Sequence, residues 1–274
     1  MNVVRAMAPL ERPYLRAYLE RTPVALGLER ALECEMFRGR SFTAPVLDVG
    51  CGDGMLAEIL FGAGRRVTYG LDPDPAVLAE ARKRGAYRLL LNATGDAIPL
   101  ADGACASVYS NSVLEHIENL EATLREIRRV LRHGGELLVT VPTDRYERYF
   151  LPCGLLEAVG LAPLSDALRA RFNRFWRHYH CYPPAEWRRL IAAAGFEILE
   201  SIAYGSRAVC RLLAVTLPVA LPAFVTHRLL GRWMLVPRVR ALIAPALAAA
   251  LSPAVRASVD DGALVFIRAR AATS

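Results

Sequence analysis

The chain has 274 residues, of which 54% are hydrophobic, and carries a formal net charge of +7. This length suits one large α/β domain or a domain with insertions, and the hydrophobic fraction predicts a large core or an apolar surface. The positive charge comes almost entirely from arginine, since Lys83 is the only lysine. The arginines follow no single helix face, so the charge does not indicate a nucleic-acid partner. Part of the charge is still available to an anionic substrate or to membrane headgroups.

The six cysteines are scattered and include no C-x-x-C pair. They therefore predict neither a metal site nor a disulfide framework. The N-terminal stretch reaches a charged, helix-like segment too early to contain the apolar region of a signal peptide. We expect a cytoplasmic protein with reduced cysteines.

Strand-like and helix-like segments alternate along the chain. The spacing predicts helices over 14–38 (broken at Thr22-Pro23), 54–64, 75–85 and 120–135, and strands over 44–50, 66–72, 87–96, 106–117 (running into a turn) and 136–142. This alternation predicts an α/β fold with a doubly wound parallel sheet. In such sheets, ligands bind at the carboxyl ends of the strands, where the strand order reverses.

The stretch VLDVGCGDGM follows directly from the first predicted strand. Gly50 allows a sharp exit from that strand, and Gly52 and Gly54 leave the backbone open to a ligand. The pattern D-x-G-x-G-x-G, which begins at Asp48, is neither of two other glycine-rich motifs. Met55 replaces the third glycine of a dinucleotide motif, and the Gly-Lys-Ser/Thr ending of a P-loop is absent.

Two more carboxylates follow at the ends of the next two predicted strands. Asp72 ends the second strand, a little over ~20 residues after the loop, where an acid accepts hydrogen bonds from ribose hydroxyls. Asp96 ends the third strand and is placed to accept a hydrogen bond from an adenine amino group. The loop and the two acids together indicate a nucleoside-containing ligand.

These elements resemble the class I S-adenosylmethionine-dependent methyltransferases, especially the small-molecule group with the ubiquinone and menaquinone biosynthesis enzymes. The resembling segments are VLDVGCGDG, YGLDPD, NATGDAIPLADGACASVYSNSVLEHIEN, LREIRRVLRHGGELLVTVP, LIAAAGFEILE and GALVFIRARA. The chain departs from the family at Cys105-Ala106, where Phe-Asp is usual, and at His133, where proline is usual. The resemblance implies a Rossmann-like sheet of seven strands with helical insertions.

The resemblance also implies S-adenosylmethionine as the cofactor. The glycine loop would face its carboxypropyl end, whose carboxylate gains from amides at a helix N-terminus. Aspartates would hold the ribose and the adenine, and residues at the end of the fourth strand would flank the sulfonium. The implied cofactor-binding residues are Asp48, Gly50, Cys51, Gly52, Gly54, Asp72, Pro73, Asp96, Ala97, Ser110 and Asn111.

A general base is needed only if the acceptor must lose a proton. His116 is one candidate, and its alternative role is a helix-start side chain bonded to the backbone. His178 and His180 lie just before the last predicted helix. One of them either faces the site or forms hydrogen bonds within the loop, and His180 is the candidate base. Glu115 is expected to be a solvated helix charge.

Two insertions interrupt the core. The first, 143–183, is rich in aromatics and arginines, and is either a lid over the acceptor or a helix that packs Phe172, Phe175 and Trp176 on the core. The second, 205–261, contains two apolar runs with prolines, each shorter than the ~20 residues that a bilayer helix needs. It either lies in a membrane interface or against a lipid substrate, or forms a cap or dimer contact.

We therefore predict one methyltransferase domain that acts on a small hydrophobic acceptor, lipid-linked or isoprenoid-type, at oxygen or carbon. Membrane contact through 208–256 would place it on the inner face of the membrane. The alternatives are a soluble natural-product or sugar methyltransferase, with that segment as a homodimer surface, and a non-catalytic scaffold. The predicted parts are a helical cover (1–43), a cofactor-binding core (44–142), a lid (143–183), more core (184–204), a hydrophobic insertion (205–261) and a closing strand with tail (262–274).

Overall fold

The computed structural model describes residues 13–62, 64–149, 151–230, 233, 236–254 and 259–272. Part of the predicted N-terminal cover, 1–12, lies outside the described residues, as do short pieces of the hydrophobic insertion at 231–232, 234–235 and 255–258. The remaining predicted elements can be compared directly with the structure.

Seven strands form one sheet in the order β3-β2-β1-β4-β5-β7-β6. They are β1 (Val46–Val49), β2 (Val67–Asp72), β3 (Tyr87–Asn92), β4 (Cys105–Asn111), β5 (Leu131–Pro142), β6 (Phe196–Tyr204) and β7 (Leu264–Ala271). The first five strands pair in parallel, and β7 runs antiparallel between β5 and β6. The predicted doubly wound seven-stranded sheet is confirmed, and its order reverses between β1 and β4.

Helices cover both faces of this sheet and extend beyond it. They are α1 (Pro13–Leu19), α2 (Val24–Phe37), α3 (Met55–Phe61), α4 (Pro75–Arg84), α5 (Leu120–Val130), α6 (Asp144–Tyr149), α7 (Leu151–Ala158), α8 (Ala162–Trp176), α9 (Pro184–Ala193), α10 (Arg207–Leu230) and α11 (Pro237–Leu251), with short 3-10 turns at Leu114–His116 and Ser252–Ala254. The break between α1 and α2 lies at Thr22-Pro23, as the sequence predicted.

Several predicted boundaries differ from the observed ones, including two by four or more residues at the end of an element that bears on the site. Helix α5 ends at Val130 rather than at Gly135, because Leu131 already pairs with Cys105 at the start of β5. Strand β3 ends at Asn92, so Asp96 lies in the turn after the strand and not at its end.

The two insertions form helices that stand over the carboxyl ends of the strands. The first contributes α6, α7 and α8, and the second contributes α10 and α11, which pack against α2 and α1 respectively. The buried guanidinium of Arg240 on α11 donates from Nε to the carbonyl oxygen of Leu19, over 2.6 Å. This bond joins the second insertion to the end of α1.

None of the helices in the described part of the chain combines the length and the apolar character required to cross a membrane. Helix α10 contains Pro218 and Pro222 within its length, and α11 contains Pro245. Each internal proline removes one backbone hydrogen bond from its helix.

Candidate functional site

The glycine loop connects β1 to α3 at the point where the strand order reverses. Gly50, Gly52 and Gly54 all have positive φ angles, of 79°, 51° and 78°. A Cβ atom on Gly50 would overlap the side chain of Val113, whereas a Cβ on Gly52 would meet no atom within 4 Å. Position 50 therefore requires glycine because a side chain would clash beneath the turn. Position 52 favours glycine because of its positive φ angle, and it lies beside an open space.

Backbone hydrogen bonds hold the loop on the end of β2. The N–H groups of Gly50 and Cys51 both donate to the carbonyl oxygen of Leu71, over 2.8 and 2.9 Å. The N–H of Gly52 donates to Oδ2 of Asp72 over 3.0 Å, and that of Asp74 donates to Oδ1 over 2.9 Å. Each oxygen of Asp72 thus accepts one bond and keeps capacity for a ligand. Partial burial raises the pKa of Asp72.

The helix N-terminus beyond the loop is already capped. Asp53 accepts a hydrogen bond at Oδ1 from the N–H of Met55 over 3.0 Å, and its Oδ2 accepts one from Arg84 over 3.0 Å. Amides at this helix start were expected to stabilise a ligand carboxylate. One of those amides is bonded to Asp53, so this stabilisation is reduced. The loop backbone itself is the remaining contact surface.

Asp48 lies beneath the loop as the sequence predicted, and it is almost fully buried. Its Oδ2 accepts hydrogen bonds from the hydroxyls of Tyr87, over 2.6 Å, and Tyr109, over 2.7 Å. Burial raises the pKa of Asp48 to about 7, although the two tyrosine bonds act in the opposite direction. The carboxyl group therefore changes its protonation state near neutral pH.

A cavity of about 490 Å³ extends from the glycine loop to the helices of the two insertions. Its polar lining side chains come from the N-terminal helices, β1, the loop, β4 and the turn after it, α6 and the segment after α8. They include Tyr18, Thr22, Glu29, Arg30, Asp48, Asp53, Asn111, Ser112, Glu115, His116, Tyr146 and His178. Its apolar lining includes Ala25, Leu26, Val113, Phe172, Trp176, Leu213, Ala214, Leu217 and Trp233. One continuous space thus joins the loop to a largely apolar wall.

A carboxylate of α2 fixes the end of β4 beside this cavity. Glu33, which is completely buried, accepts hydrogen bonds from Asn111 at 2.7 Å, from Ser112 at 2.6 Å and from Arg30 at 2.7 Å. Asn111 also accepts a bond from Thr140 over 2.8 Å. The side chain of Asn111 lines the cavity, and both ends of its amide are held in place.

Ser110, the neighbouring predicted residue, does not line the cavity. Its hydroxyl is fully buried and donates to the carbonyl oxygen of Val49 over 2.9 Å. The structure thus gives Ser110 a role in joining β4 to β1. Contact of this side chain with a ligand would require the bond to break.

His116 and His178 lie together in the cavity, with ring centroids 4.9 Å apart. Nδ1 of His116 is 3.3 Å from the carbonyl oxygen of Arg177. Because a carbonyl oxygen only accepts hydrogen bonds, this contact places the proton on Nδ1 and leaves a lone pair on Nε2. Burial lowers the pKa of both rings, to about 4 for His178. Both are therefore neutral at pH 7.

Glu115 is buried, and the expectation of a solvated helix charge is wrong. Its side chain faces the cavity from the 3-10 turn and the residue is only 2% exposed. Burial raises the pKa of Glu115 to about 8, so the group is largely protonated at neutral pH. Its Oε1 is 3.7 Å from Nε2 of His116, and its Oε2 has no hydrogen-bond partner among the described residues.

His180 is held within the loop and does not line the cavity. Its Nε2 lies 2.8 Å from the carbonyl oxygen of Ile117, and its Nδ1 lies 2.9 Å from the hydroxyl of Tyr182. Both ring nitrogens are therefore occupied, and the loop-bonding alternative describes this residue. Of the two lid histidines, His178 is the one beside the cavity.

The predicted adenine-binding residues, Asp96 and Ala97, lie outside the cavity lining. Asp96 accepts a hydrogen bond from Asn119 over 3.0 Å, and bonds from Thr94 and Asn119 lower its pKa. Ala97 is exposed, and so is Pro73 after β2. These residues are accessible to a ligand that extends past the loop.

The lid helix α8 divides its aromatic side chains between the cavity and solvent. Phe172 and Trp176 line the cavity, whereas Phe175 is 72% exposed. The alternative in which all three pack on the core is therefore wrong for Phe175. Helix α10 contributes Leu213 and Leu217 to the same cavity wall.

Sequence reasoning missed the polar residues of α2 and α6 in the cavity. Glu29 accepts a hydrogen bond from the hydroxyl of Tyr146 over 2.9 Å, and Arg30 pairs with Glu33. The available signal was the spread of charged residues around an otherwise apolar helix, VALGLERALECEMF. Buried charges of this kind need partners, which the sequence alone does not identify.

Comparison with known proteins gives matches that centre on the glycine loop and its strands. Residues 47–139 match the family model of a methyltransferase domain. A probable S-adenosylmethionine-dependent methyltransferase of Mycolicibacterium smegmatis is 36% identical over 157 residues, 57% of this chain and 53% of that protein. A malonyl-acyl-carrier-protein O-methyltransferase of Serratia marcescens is 38% identical over 149 residues, 54% of this chain and 52% of that protein. The chain thus spans about half the length of these curated relatives.

Solved structures extend the likeness to the whole fold. A Thermotoga maritima methyltransferase, described as a possible histamine N-methyltransferase, matches with a TM-score of 0.54. The match covers 90% of this chain and 91% of that one, at 17% sequence identity. At this identity the likeness establishes the fold and carries no information about the acceptor.

Proposed function

We propose that this chain, a class I methyltransferase by its fold and by its methyltransferase domain at 47–139, transfers a methyl group from S-adenosylmethionine to a small hydrophobic acceptor. The observation that carries the proposal is the continuous cavity between the glycine loop and an apolar wall. A cofactor at the loop and an acceptor at the wall would share one space, from which water is displaced when both are bound.

The loop and its neighbours fit this cofactor. Bound S-adenosylmethionine supplies a methyl group activated by a positively charged sulfur. Gly52 leaves space beside the loop for its amino-acid end, and Asp72 has one free acceptor position on each oxygen for ribose hydroxyls. In this proposal Asp96 and Ala97, which are accessible outside the cavity lining, would contact the adenine. Asn111 lies between the loop and the acceptor wall.

His116 is our candidate general base for a hydroxyl acceptor. The carbonyl of Arg177 fixes its tautomer, so Nε2 has a lone pair, and burial keeps the ring neutral. A neutral imidazole in the cavity is able to take a proton from a hydroxyl as its oxygen becomes methylated. His180, the second sequence candidate, would have to leave two hydrogen bonds to do the same.

The acceptor side favours a lipid-linked or isoprenoid-type compound delivered from a membrane surface. Apolar residues of α8 and α10 form the wall. On the outer side of α11, Val239, Leu242 and Ile243 are exposed, with Leu242 at 81%. An apolar helix face of this kind, beside the exposed Arg238, is suited to shallow insertion among anionic headgroups. Peripheral contact through 208–256 is therefore part of the proposal.

Calorimetric titration with S-adenosylmethionine and S-adenosylhomocysteine tests the cofactor. We expect micromolar binding by the wild-type protein and its loss in Asp72→Ala. Asp74→Ala is the matched control, because the Asp74 side chain caps α4, and its contact with Asp72 is a backbone N–H bond that the variant retains. Absence of heat with both ligands, in the presence and absence of liposomes, would refute the enzyme proposal and leave a scaffold role.

Liposome flotation separates the membrane-facing enzyme from a soluble one. We expect wild-type protein to float with vesicles that contain anionic lipid, and Leu242→Glu to remain in the bottom fraction. Val159→Glu is the control, because Val159 is an exposed apolar residue of the first insertion, outside 208–256 and outside both cavities. If wild-type protein ignores the vesicles, a soluble acceptor becomes the better proposal.

A further inference from the structure

We propose that a second cavity binds a phosphoryl group attached to an apolar moiety. This cavity, which we call the basal groove, has a volume of about 860 Å³ and shares no lining residue with the catalytic cavity. Its lining includes Val46 and Val67, the first residues of β1 and β2. Since these strands run in parallel, the groove lies at the opposite end of the sheet from the glycine loop.

The basal groove is strongly basic. Five arginines line it: Arg38, Arg40, Arg65, Arg66 and Arg88. Only two have carboxylate partners among the described residues, Arg38 with Glu35 at 3.4 Å and Arg40 with Glu200 at 2.8 Å. The other three guanidinium groups are exposed and leave an uncompensated charge of +3 around one opening.

The sheet register brings two of these unpaired arginines together. Val67 of β2 pairs with Tyr87 of β3, so Arg66 lies one residue before this pair and Arg88 one residue after it on the adjacent strand. Arg65 precedes Arg66 in the chain and lines the same groove. Like charges at neighbouring positions repel one another, and a bound anion removes this repulsion. The planar guanidinium matches the oxygens of a phosphoryl group and binds two of them at once.

The floor of the groove is aromatic. Phe42 and Phe61 both line it, and their rings meet edge to face with centroids 5.0 Å apart. Phe37 lies beside Phe42, with centroids separated by 6.2 Å. An inorganic ion would leave this surface uncovered, whereas an aromatic or hydrocarbon group next to the phosphate would bury it. The ligand chemistry we infer is therefore an organic phosphate.

S-adenosylmethionine contains no phosphate, so the groove requires a ligand of its own. Two sources have the inferred chemistry: a free phosphorylated metabolite, and the headgroup of an anionic phospholipid. The inference does not depend on the proposed methyl transfer, because binding to the groove is measurable without an acceptor or a cofactor.

The test compares two triple variants with equal net charge. The groove variant carries Arg65→Gln, Arg66→Gln and Arg88→Gln, and the control variant carries the same change at three exposed arginines elsewhere, Arg82, Arg132 and Arg171. Titration calorimetry uses inorganic phosphate and phenyl phosphate as soluble probes. Co-sedimentation uses phosphatidylglycerol vesicles, with phosphatidylcholine vesicles as the blank.

We expect phenyl phosphate or phosphatidylglycerol to bind the wild-type protein at least about tenfold more tightly than the groove variant, since three charge-assisted contacts are lost. The control variant should stay within about twofold of the wild type. Binding of the soluble probe identifies a metabolite site. Vesicle binding without soluble-probe binding identifies a headgroup site when the groove variant loses it and the control variant keeps it, because contact through α11 would persist in both variants. Three outcomes would overturn the inference. They are equal weakening of binding in both variants, equal affinity for the two soluble probes without vesicle binding, and no binding by the wild type.

Discussion

The two halves of the catalytic cavity are built by different means. The glycine-loop half consists of backbone from one short stretch, held by hydrogen bonds from Gly50 and Cys51 to a single carbonyl of the next strand. The acceptor half consists of side chains from α2, the turn after β4, α8 and α10, which are far apart in the chain. In the proposed function, local backbone would therefore contact the cofactor, and side chains brought together by tertiary packing would contact the acceptor.

The halves also differ in their electrostatics. The loop half offers backbone groups, with the partly buried Asp72 beside the loop. The acceptor half is lined by the buried Glu115 and by the partly exposed Glu29 and Arg30, and Arg30 pairs with the buried Glu33. Such burial costs free energy unless every charge is paired or neutralised. Here Glu33 is paired and Glu115 is neutralised by its raised pKa. Substitutions in the two halves should therefore have separable consequences.

The largest effect is expected for the candidate base. His116→Gln should lower kcat by about 10²–10⁴-fold, measured as transfer of labelled methyl to an acceptor found by screening. The affinity for S-adenosylhomocysteine should not change, since His116 belongs to the acceptor half. Because burial lowers the pKa of His116, the acid limb of the wild-type kcat profile should lie below the ordinary histidine pKa of about 6.5.

His180→Gln provides the control for this substitution. It should reduce stability through its two lost hydrogen bonds and leave kcat of the folded enzyme within about twofold. An unchanged kcat in His116→Gln would show that the acceptor needs no base from this residue.

Two glycine substitutions should separate packing from binding within the loop half. Gly50→Ala should reduce the free energy of unfolding by about 2–4 kcal/mol, because it combines backbone strain with a clash against Val113. Gly52→Ala should cost only about 1 kcal/mol of strain and yet weaken S-adenosylhomocysteine binding, because its new methyl group occupies the open space beside the loop.

Urea denaturation and calorimetry measure these two quantities on the same samples. A Gly52→Ala protein that binds S-adenosylhomocysteine with wild-type affinity would contradict the assignment of that open space to the cofactor.

The buried acid of the acceptor half should affect the pH dependence of stability. The folded protein keeps the proton of Glu115 up to about pH 8, whereas the unfolded chain releases it near its ordinary pKa of 4.5. Stability should therefore fall as pH rises between these values, by up to about 1.4 kcal/mol per pH unit from this group. Glu115→Gln removes the titration and should flatten the profile.

Urea denaturation between pH 5 and 8 measures that slope, and Glu121→Gln is the control because Glu121 is highly exposed. Asp48 contributes a slope of the same sign, since burial raises its pKa as well. An identical slope in Glu115→Gln and wild type would mean that Glu115 is ionised in the folded protein.

The smallest effect is expected on the outer side of the lid. Phe175→Ser should change stability by less than about 0.5 kcal/mol, because Phe175 is exposed and lies outside the cavity. Phe172→Ser, one turn earlier, removes a ring from the cavity wall and should cost more than Phe175→Ser while impairing acceptor binding. Thermal denaturation and an acceptor titration distinguish the pair.

The difference between the halves also explains how much could be predicted. The seven strands, the reversal of strand order and the positions of Asp48 and Asp72 follow from apolar runs and glycine spacing, which are local in sequence. Burial of Glu115 could not be predicted, because its neighbours in the fold are distant in the chain. The N–H groups of Tyr179 and His180, about 60 positions away, donate to its carbonyl oxygen. The same applies to Ser110, whose hydroxyl bond to Val49 depends on the packing of β4 against β1.

The antiparallel strand β7 has a consequence for how the acceptor half can change in evolution. Tyr204 and Leu264 are paired across β6 and β7, so the segment between them leaves and rejoins the sheet at neighbouring positions. The entropy cost of such a closed excursion grows only logarithmically, by about 0.6 kcal/mol for each doubling of its length. Helices α10 and α11, the first of which forms part of the acceptor wall, can thus be lengthened or exchanged in evolution. The register of the sheet and the glycine loop after β1 would stay intact.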